Sequence, residues 1–364
     1  MTEVYIGKTA RTAMGKRNGL FRKTDAVRMT AEIMKYLAVE PDEFIFGATQ
    51  QYGQQGYNFT RQAALAAGFN SAIPALTVNR LCGSSMSAVH TAFANVRAGL
   101  GSTYVVGGTE HMTGNPMTEH YYDQPGSISL AVAKGSAMMG LTAEMVANLN
   151  TVSRKAQDEF ALLSQIRAAE NMEKDINIFI TGHKEDGNLV IARRDEGIRD
   201  TSAESLAGLK PSFDPKGTVT AGNSSGIADG SAGAVITSER EGARARIVSV
   251  ASTAGDAATM GLQPINAIRK VLNTAGITIA AVDAFEINEA FAAQAVPVVE
   301  TLGIDADKVN SWGGAIAIGH PHGCSGARII HTLLNRMEES DQTIGVAAMC
   351  IGMGQGIATV IERV

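Results

Sequence analysis

The chain has 364 residues, enough to bury a large core and to hold two or more domains or one duplicated unit. Its formal charge of −5 and low aromatic content, 5%, give no electrostatic reason to expect nucleic acid, although a local patch would suffice for a charged small molecule. Three cysteines without framework-like spacing need no disulfide and suit a reducing, cytoplasmic compartment. The apolar runs at 104–108 and 344–349 are too short to span a bilayer, and with a strand-like start at Val4 no signal peptide is expected.

In chain order, strands are predicted over 4–7, 44–47, 75–78 and 103–107, separated by helices over 25–37, 58–67 and 84–99. The second half repeats this alternation. Strands at 247–251, 284–287, 309–310 and 344–348 alternate with helices at 264–275, 289–302 and 323–338. In each half a Val-Asn pair, Val78-Asn79 or Val309-Asn310, leads into a small-residue segment, a helix and a strand ending near Gly107 or Met349. This is how a duplicated α/β unit reads. Between the halves lies a less regular segment, 113–227, containing Gly126 and the run from Gly182 to Gly187. Within it 154–172 reads as a solvated amphipathic helix opened by Ser153.

Three segments carry chemistry. Cys82 lies in Asn79-Arg80-Leu81-Cys82-Gly83-Ser84-Ser85-Met86, just before a helix whose small or apolar positions are Met86, Val89, Ala92, Phe93 and Val96. Unpaired amides and the helix dipole there favour a thiolate. Cys350 lies in Met349-Cys350-Ile351-Gly352-Met353-Gly354-Gln355-Gly356, and His320 is held in Gly319-His320-Pro321. Flanking glycine lets backbone approach a ligand closely, which a packed thiol would not need. The run from Thr220 to Gly226 lacks the Lys-Ser/Thr end of a P-loop, and 352–356 lacks dinucleotide-binding spacing, so nucleotide triphosphates and NAD are not expected.

These segments, with Arg11-Thr12, Gly15-Lys16, Gln54-Gln55-Gly56-Tyr57-Asn58, Gly107-Gly108-Thr109-Glu110-His111-Met112, Met138-Met139-Gly140-Leu141-Thr142-Ala143-Glu144, Asn288-Glu289-Ala290-Phe291-Ala292-Ala293-Gln294 and Gly313 to Gly326, form an ordered series over nearly the whole chain. That series resembles the thiolases, in particular 3-ketoacyl-CoA thiolases that serve as the beta subunit of the bacterial fatty-acid oxidation complex. The resemblance implies two stacked βαβαβ halves in five layers with an inserted loop domain. The expected divisions are 1–112 with 228–245, the substrate-covering loop domain 113–227, and 246–364. It implies degradative thiolysis of 3-ketoacyl-CoA by CoA, a co-substrate rather than a bound cofactor, and no metal. Cys82 would be the acylated nucleophile, His320 its base and Cys350 the second acid and base. His320 with a water held by Asn288 would stabilise the thioester oxygen, and the amides of Cys82 and Gly352 the acyl-enzyme oxygen. Ser225 and Arg199 would meet the pantetheine arm and the adenine-phosphate end of CoA, while Met139, Met260, Ala290 and Phe291 line the apolar channel. A homodimer able to join a larger hydratase/dehydrogenase subunit is the implied assembly.

Local sequence also offers plainer roles. Asn288 could cap a helix starting at Glu289, His320 could be a loop histidine, and Met139 and Met260 could be core fillers. Cys324 reads as a packed thiol. His322 stands where relatives usually carry an apolar residue, and Ser311-Trp312 where smaller or polar residues are common; both bear on the packing around His320. A biosynthetic acetoacetyl-CoA thiolase commonly has histidine at the position of Met138. A decarboxylating condensing enzyme would replace Cys350 with histidine or asparagine, and a non-catalytic acyl-CoA-binding subunit would be expected to lose Cys82, His320 or Cys350.

Overall fold

The computed structural model describes residues 2–117, 138–171 and 174–364. Part of the segment expected to cover substrate, including Gly126, and Met172 at the end of the predicted helix lie outside the described residues.

The N-terminal half comprises β1 (Tyr5–Arg11), the short β2 (Gly15–Lys16), α1 (Ala26–Leu37), β3 (Glu43–Gly47), α2 (Phe59–Ala66), β4 (Ala75–Val78), α3 (Ser84–Ala98) and β5 (Thr103–His111). Next come α4 (Met139–Leu149), α5 (Arg154–Asn171), the hairpin β6 (Thr181–His183) and β7 (Leu189–Ile191), and α6 (Ala203–Ala207). β8 (Ala228–Thr237) returns to the first half. The C-terminal half is β9 (Ala245–Ala254), α7 (Gln263–Ala275), β10 (Ala284–Ile287), α8 (Ala292–Leu302), α9 (Ala315–Ile318), α10 (Ser325–Glu339), β11 (Ile344–Ile351) and β12 (Gln355–Arg363).

The strand order β10-β11-β12-β9-β1-β8-β5-β3-β4 is a near-palindrome about β9 and β1. β8 pairs antiparallel with β1 and β5, and β3 parallel with β5 and β4. In the second half β12 pairs antiparallel with β9 and β11, and β10 parallel with β11. The two half-sheets join where Tyr5 and Ile6 meet Arg246 and Ala245. A counterpart of β4 is reduced to one bridge between Phe285 and Val309, which corrects the strand predicted at 309–310. Asn310 has φ +45°, and its side chain accepts from the amide of Ile287 and donates to that residue's carbonyl, replacing a ladder with a side-chain clamp.

α3 and α10 are the central layer between the half-sheets. Met86, Val89, Ala92 and Val96 of α3, with Ile329, Ile330, Leu333, Leu334 and Met337 of α10, share one core with Ala234 and Ile236 of β8 and Ile357 and Ile361 of β12. Each large aliphatic side chain buried there contributes about 1.5–3 kcal/mol, so this layer binds the halves together. α1 and α2 cover the outer face of the first half-sheet, where Met29, Ile33 and Phe59 meet Phe44, Phe46 and Val235. α7 and α8 cover the second, where Ile268, Val271 and Val298 meet Phe285, Ile287 and Val346. The result is the expected five layers.

Helix ends follow local chemistry. Asp25 accepts from the amide of Arg28 at the start of α1, and Gly99, at φ +72°, closes α3 by satisfying the carbonyls of Asn95 and Val96. α3 and α10 approach closely at their N-termini: a Cβ on Gly326 would stand 2.5 Å from the Met86 nitrogen. There the Ala327 amide donates to Ser85 Oγ at 2.9 Å. The segments preceding these two helices carry Cys82 and His320, so the crossing of the duplicated halves is what brings them together.

Candidate active site

Cys82 occupies a constrained turn between β4 and α3. Leu81 has φ +47°, the Leu81 amide donates to Asn79 Oδ1 at 2.8 Å, and the Arg80 amide donates to Ser84 Oγ at 2.9 Å. Gly83 is required by close approach, since a Cβ there would lie 2.4 Å from Ile351 Cδ1. The turn thereby rests on the end of β11, beside Cys350.

The residue as a whole is half-buried, but crowding around its sulfur pushes the Cys82 thiol up to about 11, against the pull of the Gly352 and Cys82 amides, which donate to it. Desolvation therefore outweighs the helix start, correcting the expectation of a resting thiolate. Near neutral pH the group is a thiol and needs a base. Both amides expected to form an oxyanion site do address the Cys82 sulfur. Cys350 is buried, and burial followed by the neighbouring Cys82 sulfur pushes its thiol well up.

His320 is positioned by its backbone and by both ring nitrogens. Its amide donates to the Gly226 carbonyl at 2.9 Å, and Gly319 has φ +99°. Ser325 Oγ donates to the Pro321 carbonyl at 2.9 Å, so at 2.6 Å it accepts from His320 Nδ1–H. Nε2 is then the bare nitrogen. Arg328 Nη2 donates to Asn288 Oδ1 at 3.3 Å, which turns Asn288 Nδ2 toward His320 Nε2, also at 3.3 Å. Burial, then the neighbouring His322 and Arg328, hold the His320 imidazole well below its ordinary value and keep it neutral. The structure thus supplies a thiol facing a neutral base of fixed tautomer.

α8 begins at Ala292, with Phe291 as its N-cap, so Asn288 does not cap it. The reading of Asn288 as a helix cap is corrected: its amide is engaged by Arg328 and His320. Ser325 and Arg328 were not singled out in the sequence, although their spacing of three on the first turn of α10 places both on one face. Glu110 carries no role in the sequence beyond its place in the Gly107 to Met112 motif. Its carboxylate accepts from the amides of Thr49, Gln50 and Gly323 and from Gln55 Nε2, tying three motif segments under the His320 loop.

The four apolar residues assigned to a channel lie together. Met260, Ala290, Phe291 and Cys350 share one cluster with Ala143, Ala147 and Val219, and Met139 packs against it. The Ser225 amide donates to the Ala290 carbonyl at 3.0 Å, placing Ser225 at the edge of this cluster. Arg199 is exposed and donates to the Ala221 carbonyl at 3.4 Å, beside the loop that carries Ser225. Cys324 is fully buried in a separate cluster with Met14, Ala232 and Ala327, and burial pushes its thiol up to about 12, in keeping with a packed role. The ring centre of Trp312 lies 5.5 Å from Lys174 Nζ, while His322 stands against His320 with ring centres 4.8 Å apart.

Residues 4–240 match the model of the thiolase N-terminal domain and 242–363 that of the thiolase C-terminal domain. The chain belongs to the thiolase family. It is 47% identical to the 3-ketoacyl-CoA thiolase of Shewanella denitrificans, with all of both chains covered. It is 46% identical to that of Saccharophagus degradans, covering all of this chain and 98% of the other. The crystal structure of the Bacillus anthracis acetyl-CoA acetyltransferase superposes with a TM-score of 0.91 at 35% identity, covering 100% of this chain and 99% of that one. Among the described residues of this thiolase-family protein, no helix is long and apolar enough to cross a membrane.

Because Ser325 sets the His320 tautomer, Ser325→Ala is expected to lower turnover about ten- to thirtyfold, the equivalent of about 1–2 kcal/mol, with little change in KM. Steady-state kinetics check this, and Ser325→Thr should restore most of the loss.

Proposed function

We propose that this protein is a degradative 3-ketoacyl-CoA thiolase, carried chiefly by the meeting of the Cys82 thiol, the bare Nε2 of His320 and the Cys350 thiol. The names of relatives at 46–47% identity over the whole chain support the substrate class. Cys82 sulfur attacks the 3-keto carbon while His320 Nε2 takes its proton. The oxyanion so formed collapses, the bond between the α and β carbons breaks, and acetyl-CoA enolate leaves. Cys350 gives the enolate its proton, then as thiolate takes the proton of incoming CoA. The CoA sulfur attacks the acyl-Cys82, releasing the shortened acyl-CoA, and His320 returns its proton to Cys82.

The protonated Nε2 formed in the first step, with a water held by Asn288, donates to the thioester oxygen, and the amides of Cys82 and Gly352 to the acyl oxygen. CoA is a co-substrate, with Ser225 and Arg199 along its arm and Met139, Met260, Ala290 and Phe291 along the apolar channel. The working assembly is a cytoplasmic homodimer able to join a larger hydratase/dehydrogenase subunit.

Intact-mass spectrometry after incubation with a 3-ketoacyl-CoA is expected to show one added acyl group per chain, and peptide mapping to place it on Cys82. Acylation at Cys324, with none at Cys82, would refute the mechanism. Thiolysis rates across a chain-length series separate this activity from a biosynthetic one, which would turn over acetoacetyl-CoA alone.

A further inference from the structure

We propose that Cys82, His320 and His322 form a binding site for one zinc ion, which closes the nucleophile to substrate. Cys82 Sγ and one ring nitrogen from each histidine lie within 4.8 Å of one another. Zinc bonds of about 2.3 Å to sulfur and about 2.0–2.1 Å to nitrogen place tetrahedral ligands roughly 3.3–3.6 Å apart, so the widest pair must close by up to about 1.5 Å. Side-chain rotation at the half-buried Cys82 and His322 supplies that closure in the loaded site, while the Cys82 turn and His320 stay anchored.

The ligand chemistry is already in place. His320 presents the bare Nε2 and donates its other ring proton to Ser325 Oγ, the outer hydrogen bond that orients a metal-bound imidazole. Only the long 3.3 Å contact from Asn288 Nδ2 is given up. Thiolate with two imidazoles suits zinc rather than magnesium or calcium. Three protein ligands leave a fourth position for water.

Charge also balances. Zinc replaces the Cys82 thiol proton, which passes to solvent, and no group is oxidised or reduced. The thiolate cancels one of the two positive charges, and the Glu110 carboxylate, whose field reaches both Cys82 and His322, offsets part of the other against the opposing Arg328. His322 is the deciding ligand, because without it only a Cys-His pair remains. A loaded site has neither a free sulfur nor a bare Nε2. That inhibitory consequence rests on the thiolysis reading, whereas the binding does not.

Two measurements test this on the full chain after chelator treatment. Equilibrium dialysis against zinc chloride should find one zinc per chain, and cobalt chloride titration should give a sulfur-to-cobalt charge-transfer band. His322→Leu should weaken zinc binding by more than about 100-fold, the upper end of what loss of an outer-shell partner causes. His322→Cys should retain it, and Cys82→Ser should abolish the band. Zinc binding unchanged in His322→Leu, or a cobalt complex without the band, would overturn the site. Micromolar zinc should stop thiolysis reversibly. If dialysis shows the bound ion but thiolysis proceeds unhindered in the loaded protein, the closing of the nucleophile is refuted. If no thiolysis occurs even without zinc, it is the functional reading that fails.

Discussion

Cys350→Ser is expected to accept an acyl group on Cys82 from an activated thioester and yet lose thiolysis by about 10²–10⁴-fold, the range a positioned acid and base supplies. Burial already pushes the Cys350 thiol well up, and a serine hydroxyl in the same place is a weaker acid still. It can neither protonate the enolate nor hold the negative charge needed to take the proton of CoA. Cys82→Ser should fail one step earlier, with no acyl group detected by mass spectrometry and turnover reduced at least as far, because a hydroxyl is the poorer nucleophile. The pair of variants separates the roles. Near-native turnover in Cys350→Ser would remove the second thiol from the mechanism and favour a condensing-enzyme chemistry.

Arg11→Ala is expected to destabilise the protein by about 3–5 kcal/mol, a large part of the 5–15 kcal/mol typical of a folded chain. The Arg11 guanidinium is buried, with Nε 2.8 Å from Asp175 and Nη1 and Nη2 each 2.8 Å from Asp195. Asp175 also accepts from Thr332 and Asn335 of α10, and Asp195 from the Met14 amide. Removing the cation leaves two buried carboxylates with hydrogen bonds but without their guanidinium countercharge. Urea unfolding should show a lower midpoint, and Arg11→Met combined with Asp175→Asn and Asp195→Asn should recover most of it, since the orphaned charges cause the loss. If the triple variant is no more stable than Arg11→Ala, loss of packing is the cause instead.

The same network gives a pH dependence of definite sign. Burial would raise the Asp175 carboxyl, but Arg11, His331 and the bonds from Thr332 and Asn335 outweigh it and hold the group below its ordinary value. Its contribution is therefore present above the unfolded value of about 3.9 and is lost as pH falls through the lower folded value. Urea midpoints measured through that acid range should fall more steeply in the wild type than in the triple variant.

Much of the architecture was legible because local signals agreed with tertiary needs. α3 announces itself by an apolar stripe closed by Gly99, and β4 and β10 by short apolar runs with the boundaries found in the structure. β8 was not read as a strand. Its first six residues, Ala-Asp-Gly-Ser-Ala-Gly, are a poor local match to one, and it is stable because it is buried throughout between helix layers. There, a Cβ on Gly233 would stand only 2.8 Å from Ile33 Cγ2. α4 was likewise recognised only as a motif.

Residue type with nearby glycine or proline was enough to single out Cys82, His320 and Cys350, whereas Asn288 entered only through the family resemblance, its local sequence favouring a helix cap. The bare atom of His320 is set by Ser325, only five positions along, whereas why Cys82 rests as a thiol and that Asn288 faces His320 instead of capping α8 depend on groups distant in sequence. Arg328 lies 40 positions from Asn288, and the Gly352 amide reaches Cys82 from the opposite half of the chain. Desolvation is set by the three-dimensional surroundings of an atom, and no local pattern encodes it. The meeting of the N-termini of α3 and α10 supplied those surroundings, and it exists only once both halves have packed against one central layer.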